Sequence, residues 1–244
     1  LGAALWRAMR DSPNVTVRSP ATVAGVVRAD DALEVTVQEG GAGTVLRTRL
    51  LVVADGARSA LRASLGIAAR IRPYAQVAIV GNVAVHGGGR SGGQGSIAYE
   101  RFTPDGPLAL LPAGPGRYVF VLTRRAAAAG AVVGLPDADF LQLLQQEFGY
   151  RLGRFKRLGA RSSYPLELVE ADAVTAPRVA LVGNAAHGLH PVAGQGYNLG
   201  LRDAAALAEL IAETAGADPG RPELLARYAA WRRPDQRRVV AFTD

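Results

Sequence analysis

Residues 178–206 read RVALVGNAAHGLHPVAGQGYNLGLRDAAA, a run whose residue types suit an anion or a flat, electron-rich ring. A short apolar strand at 179–182 delivers Gly183 and Asn184 to its carboxyl end. The loop beyond it, with Pro191, Gly194 and Gly196, opens a helix whose early residues include Asn198, Gly200 and Asp203. Glycines let a backbone approach a ligand closely. The N–H groups at a helix start lack intrahelical partners and carry about half a unit of positive charge, which attracts negative groups. The same spacing also describes an ordinary turn and helix start with glycines placed for packing.

Three further groups of residues invite a chemical reading. Asp55 and Gly56 end an apolar run and precede Arg58 and Arg62, cations that suit a phosphate; a turn followed by a solvated helix explains them equally well. His187 and His190 stand three residues apart, as two metal ligands could, but no third Asp, Glu or His joins them at ligand spacing, so no metal site is expected. The stretch HGGGRSGGQG at 86–95 contains two short strings found in serine esterases, an HGGG and a G-x-S-x-G around Ser91. An elbow serine needs a strand before it and a helix after it, whereas here both strings overlap in one Gly-rich connection. An esterase using Ser91 stays the alternative from a different class.

These segments sit in a chain of 244 residues, 49% hydrophobic and 20% charged, a composition that fits a packed globular protein and excludes a disordered or collagen-like one. There is no cysteine, hence no disulfide framework, which points to a reducing, cytoplasmic compartment. The net charge of +7 comes from scattered arginines with 6% aromatics and no basic run interleaved with rings, so nucleic acid is not an expected partner. An anionic cofactor or an acidic membrane face suits that balance. No apolar run approaches the roughly 18 residues of a transmembrane helix.

The patterning places an amphipathic helix over the first residues, with Leu1, Leu5, Trp6 and Met9 on one side, then β-type runs at 15–17, 22–28, 33–38 and 44–49. The continuous apolar run at 50–54 predicts a strand covered on both faces, followed by a helix at 59–65. From residue 73 alternating strands are expected at 76–85, 96–103, 108–112, 118–122 and 156–168, with one inserted helix at 137–148. A buried strand at 179–182, a helix to about 214 and a last amphipathic helix with Leu224, Leu225, Tyr228 and Trp231 complete the pattern. Trp6, Trp231 and Tyr228 at helical spacing read as core.

HPVAGQGYNLGLRD at 190–203 resembles the signature of the ubiquinone-biosynthesis hydroxylases, a branch of the flavin-dependent aromatic monooxygenases with the para-hydroxybenzoate hydroxylase type of fold. ADGARSALR at 54–62 resembles that family's Asp-Gly motif, and VGNAAH at 182–187 its second flavin motif. YERFTPDGPLALLP at 99–112 is similar to the member that hydroxylates a polyprenyl methoxyphenol. The resemblance implies an α/β (α+β) fold: an incomplete FAD/NAD(P)-binding Rossmann-like domain in two segments, 1–72 and 169–244, and an inserted, mostly antiparallel β-sheet substrate domain at 73–168. It implies FAD as cofactor, NADPH or NADH as reductant, and O2- and flavin C4a-hydroperoxide-dependent ring hydroxylation of a lipophilic, polyprenylated phenol in ubiquinone synthesis. A soluble phenol is the near alternative. Peripheral contact with the inner membrane and a place in a ubiquinone-biosynthesis assembly would follow.

Carried over residue by residue, Gly183 and Asn184 would face the ribityl chain. Pro191, Gly194, Gln195, Gly196, Tyr197 and Asn198 would line the isoalloxazine, and Asp55, Arg58 and Arg62 would lie near the pyrophosphate and NADPH. No protein side chain is expected to act as a catalytic group, because the flavin performs the chemistry. Asn184 stands where the family usually has Asp; its amide oxygen still accepts a hydrogen bond, without the charge. The family's GxGxxG loop does not occur in residues 1–55. The expectation is therefore a chain lacking roughly a hundred leading residues, the size of a βαβ-containing half-domain, that alone binds FAD poorly and is inactive.

Overall fold

The alternation at 33–38 becomes strand β2 (Leu33–Glu39), in which Leu33, Val35 and Val37 are buried and Glu34 and Gln38 face solvent. It pairs antiparallel with β1 (Thr22–Arg28) on one side and β3 (Ala42–Thr48) on the other. Gly40 and Gly41 make the two-residue turn into β3, both with positive φ (56° and 91°), the conformation a tight hairpin demands and glycine adopts without strain. Helix α1 (Gly2–Asp11) precedes this meander and has no buried residue; Trp6 is 43% exposed, so it is not core as the spacing suggested. No strand forms at 15–17.

The computed structural model describes residues 2–86, 97–191, 194–214 and 216–243 and divides the chain into two units. The first unit contains Leu1–Arg70, Val169–Gly188 and Gly194–Asp244. Beside the meander it holds a small sheet in the order β11 (Thr175–Ala176), β12 (Val179–Leu181), β4 (Leu51–Val53), with β12 and β4 parallel and Leu181 opposite Val53. The apolar run at 50–54 predicted cover on both faces, but β4 is the edge of this sheet, and Val53 is buried while Val52 is exposed. Short helix α2 (Ala60–Ser64) follows β4, capped by Ser59, whose Oγ accepts from the Arg62 amide at 2.8 Å. Helices α5 (Gln195–Glu213) and α6 (Pro222–Thr243) complete the unit. Leu207 and Leu210 of α5, Leu224 and Tyr228 of α6, and Leu181 and Val179 of β12 share one core. Trp231, expected beside Tyr228, is 45% exposed.

The second unit, Ile71–Leu168 with Leu189–Ala193, is built on the long strand β5 (Ala69–His86). β8 (Arg117–Arg125), β7 (Gly106–Pro112) and β6 (Tyr99–Thr103) follow beside it as antiparallel neighbours. β10 (Ser162–Ala171) lies on its other side, and β9 (Arg154–Leu158) pairs with its end. The single strand expected at 156–168 is thus two, broken where the Gly159 amide turns to donate to the carbonyl of Asn82. Helix α4 (Asp137–Phe148) begins after Pro136 as read, and buries Phe140, Leu144 and Phe148 against Phe120 and Ile79 of the sheet. The Gln145 side chain donates to the carbonyls of Gly149 and Gly153 and accepts from the Phe155 amide, tying the helix to β9. Helix α3 (Ala126–Val133) was not anticipated: its alanine-rich stretch has a strong helix propensity but no apolar period to announce it. A mixed α/β molecule with a mostly antiparallel sheet is the fold class expected.

Candidate cofactor site

In the first unit β12 leads through Val182 into Gly183, whose φ of 61° starts a single 3-10 turn, Gly183–Ala185. Ala185 is buried while Asn184, between them, is exposed. β13 (His187–Gly188) follows and pairs with Val169 and Glu170. Helix α5 opens after Gly194, which has a φ of 60° and contributes no side-chain cap to the first-turn amides. Gly194, Tyr197 and Asn198 are exposed, and Gln195 and Gly196 half-buried. A side chain built on Gly200 would lie 3.1 Å from the Cα of Gly183, so this pair of glycines is what allows α5 to approach the turn. At Gly194 and Gly196, by contrast, an added Cβ would meet nothing within 4 Å among the described residues. Packing among the described residues gives no reason for glycine at Gly196, whose backbone is unstrained.

One buried carboxylate organises the turn. Asp203 is 0% exposed, on the same face of α5 as Leu199, Ala206, Leu207 and Leu210. Its Oδ2 accepts from the Gly183 amide at 3.1 Å and meets His187 Nε2 at 2.6 Å. Its Oδ1 accepts from Arg232 Nε at 2.7 Å and Gln236 Nε2 at 3.1 Å, both on α6. Burial pushes the Asp203 carboxyl up, but the hydrogen bonds and charge of His187, Arg232 and Gly183 outweigh it and hold it below the usual aspartate value. The Arg232 guanidinium also donates to Asp235 at 2.6 Å, which in turn accepts from Arg202 of α5 at 2.9 Å. Tyr228, fully buried one turn before Arg232, donates its hydroxyl to the Leu181 carbonyl at 2.8 Å; burial and the Asp203 charge raise its pKa. His187 therefore holds the turn through Asp203. In the sequence Asp203 reads only as an early residue of the helix. The signal was present: a carboxylate in an otherwise apolar helical stripe, and Arg232 and Gln236 continuing the buried stripe of Leu224 and Tyr228 at intervals of four.

Asp55, exposed, accepts from the Leu61 amide at 3.3 Å and so supports the start of α2. Arg62 is 5% exposed, and its Nη1 donates to the carbonyls of Ala57 and Ala185, at 3.2 and 2.8 Å. That is not the solvated helix the spacing allowed. Arg62 is a strut joining the two motif loops, while Arg58 beside it is exposed. Pro191 is exposed and belongs, with His190, to the short segment grouped with the second unit. His187 and His190 engage different partners, Asp203 and Gln76. Ser91, with the Gly-rich stretch around it, lies outside the described residues.

The turn and helix start thus offer exposed main-chain groups, glycines at the points of closest approach and no internal acceptor from a cap side chain, a donor set that fits an anionic flat ring. The profile of the FAD binding domain family matches residues 3–243. The chain belongs to that family. This FAD binding domain is 43% identical over 234 residues to the ubiquinone hydroxylase UbiL of Rhodospirillum rubrum, an alignment covering 95% of the chain and 53% of UbiL. It is 35% identical over 211 residues to the 3-demethoxyubiquinol 3-hydroxylase of Escherichia coli, covering 86% of the chain and 52% of that enzyme. Among solved structures, the p-nitrophenol 4-monooxygenase PnpA of Pseudomonas putida superposes with a TM-score of 0.77 over 99% of the chain and 60% of PnpA, at 22% identity, a likeness of fold. The resemblance read in the three motifs is borne out by these relatives. The FAD binding domain spans about half the length of the curated relatives it matches. None of its helices, among the described residues, is long and apolar enough to cross a membrane.

Proposed function

We propose that this chain is the flavin-ring and substrate-lobe portion of an aromatic ring hydroxylase that uses FAD, NAD(P)H and O2 and acts on a polyprenylated phenol of ubiquinone synthesis. The observation that carries the reading is the exposed start of α5 behind Gly194, set beside the Gly183 turn by the Gly183 and Gly200 contact. In this reading the amides of 195–198 receive the negative edge of the isoalloxazine, and Gly183 and Asn184 meet the ribityl hydroxyls. Main-chain donors fixed by a helix stabilise a charge without rearranging when it forms. Asp55 and Arg58 stand toward the pyrophosphate and the reductant. Arg62 serves that region indirectly, by holding the 57 and 185 carbonyls in place. Bound FAD would supply the oxygen-activating redox chemistry.

The overall stoichiometry is one phenol, one O2, one NAD(P)H and one proton giving the hydroxylated phenol, NAD(P)+ and water. No side chain of this chain needs to act as a nucleophile. The likeness to a ubiquinone hydroxylase and to a 3-demethoxyubiquinol 3-hydroxylase supports a ubiquinone precursor as substrate, and with it a lipophilic tail, peripheral membrane contact and a biosynthetic assembly as partners. The test is the visible absorption spectrum of the purified full-length gene product, followed by NADPH consumption with and without a prenylated phenol. A flavin spectrum and phenol-dependent consumption with hydroxylated product are expected; a colourless, stable protein refutes the assignment.

A further inference from the structure

The first unit holds a cavity of about 170 Å³ whose lining residues all belong to that unit. Its volume falls below the roughly 300–1,000 Å³ of sites for drug-sized molecules, so it suits a small ion rather than a cofactor or a prenyl chain. His187 stands in its wall and is 3% exposed. The His187 Nε2 lies 2.6 Å from Asp203 Oδ2, and since a carboxylate only accepts, Nε2 carries the proton. Nδ1 of the neutral ring is then an acceptor, and it is buried with no hydrogen-bond partner among the described residues. Buried polar atoms are nearly always paired, so an unpaired one marks a place where a donor belongs.

Arg70 at the start of β5 and Arg233 and Arg237 on α6 line the same cavity. Glu170, opposite His187 in the pairing of β10 with β13, and Asp172 line it too, so three guanidiniums stand against two carboxylates. Among the described residues none of these arginines forms an ion pair with either carboxylate. Arg233 donates instead to the Asp172 carbonyl at 2.7 Å. Guanidinium forks stay charged and match the oxygens of an oxyanion. A ligand for this wall must offer several anionic oxygens to the arginines and one O–H to His187. A carboxylate lacks the O–H; hydrogen phosphate has both.

We propose that this cavity binds the hydrogen phosphate ion, held by Arg70, Arg233 and Arg237 and donating its O–H to Nδ1 of His187. A donor at Nδ1 polarises the ring and strengthens its Nε2–H bond to Asp203, so the bound ion also tightens the acceptor that anchors the Gly183 turn. The site is independent of the flavin reading, because none of its lining residues is assigned to the cofactor.

The test uses the full-length gene product at about pH 8, where an ordinary imidazole is neutral, inorganic phosphate keeps one O–H, and sulfate and methyl phosphate keep none. Calorimetry reads affinity, imidazole 15N shifts assigned with His187→Gln read Nδ1, and melting of each variant reads the fold. Phosphate should bind saturably and move the His187 Nδ1 resonance. Arg233→Met and Arg237→Met should each weaken binding about tenfold, as for loss of one charge-assisted bond, with melting temperatures close to the parent's. Sulfate and methyl phosphate should leave the Nδ1 resonance in place. A resonance unmoved by saturating phosphate overturns the site, even if phosphate binds elsewhere. Unchanged phosphate affinity in both arginine variants overturns it as well, and an equal Nδ1 shift with sulfate overturns the O–H donor and the choice of ion. A purified protein without flavin leaves each of these outcomes readable and counts against the flavin reading alone.

Discussion

Replacing Asp203 with asparagine would remove the charge on which four donors converge. An amide can turn its oxygen toward only one pair of them, so its NH2 must face either Arg232 and Gln236 or His187 and the Gly183 amide, donor against donor. Breaking a buried ion pair costs about 3–5 kcal/mol. Arg232 is 4% exposed but keeps Asp235 at 2.6 Å, which places the expected loss toward 3 kcal/mol. At about 2–4 °C per kcal/mol for a chain of this size, the melting temperature should fall by about 6–12 °C at pH 7. The folded-state pKa of Asp203 lies below its ordinary value, so its contribution is complete above the unfolded aspartate pKa of about 4 and is lost as pH falls through the lowered native value. The gap between parent and Asp203→Asn should therefore close below about pH 4. Calorimetry across pH, with Arg232→Met as the second arm of a double-mutant cycle, measures both effects. A melting temperature within about 1 °C of the parent at neutral pH, or fully additive losses in the double mutant, would show that the carboxylate does not organise the turn.

Gly196→Val should leave the melting temperature of the apoprotein within about 4 °C, because valine is no poorer a helix former than glycine and, among the described residues, no atom lies within 4 Å of the added carbon. It should nevertheless abolish FAD retention in the full-length gene product, and a yellow, stoichiometric holoprotein from this variant would contradict the placement of the ring. Gly200→Ala forces a methyl to 3.1 Å from the Gly183 Cα. It should destabilise by about 1–3 kcal/mol as an overpacked contact and weaken FAD binding together with the loss of stability, seen by paired melting and fluorescence titration. Tyr228→Phe leaves the Leu181 carbonyl without its 2.8 Å donor and should cost about 1–2 kcal/mol, read from chemical denaturation midpoints.

Helix 137–148 and the β2 strand were legible because burial imposes a period, and the period survives in the letters. Helix α3 was invisible for the opposite reason, since nearly every residue of AAAAGAVV is small or apolar and no face is marked. The strand read through 156–168 failed at Gly159, where a single amide bonded to Asn82 diverts the chain. At the candidate site the glycines mark where the backbone bends, because positive φ at Gly183 and Gly194 is a property of one residue. What holds those bends was not readable. Arg62 reaches Ala185 across 123 positions, and Arg232 reaches Asp203 across 29, and neither pairing leaves a local spacing. Asp203, a charge in an apolar stripe, announced that a partner existed without saying which.

The convergence on Asp203 also sets how this part of the molecule can open. Because the Gly183 amide and two side chains of α6 share one acceptor, undocking of that helix strips the turn of its anchor, and loosening the turn unseats the helix. The two should breathe as a single cooperative unit in amide exchange, with Gly183 protected to the same free energy as the core of α6. Substitutions on the far C-terminal helix would then reach the turn through the opening equilibrium, at a distance in sequence of about fifty residues.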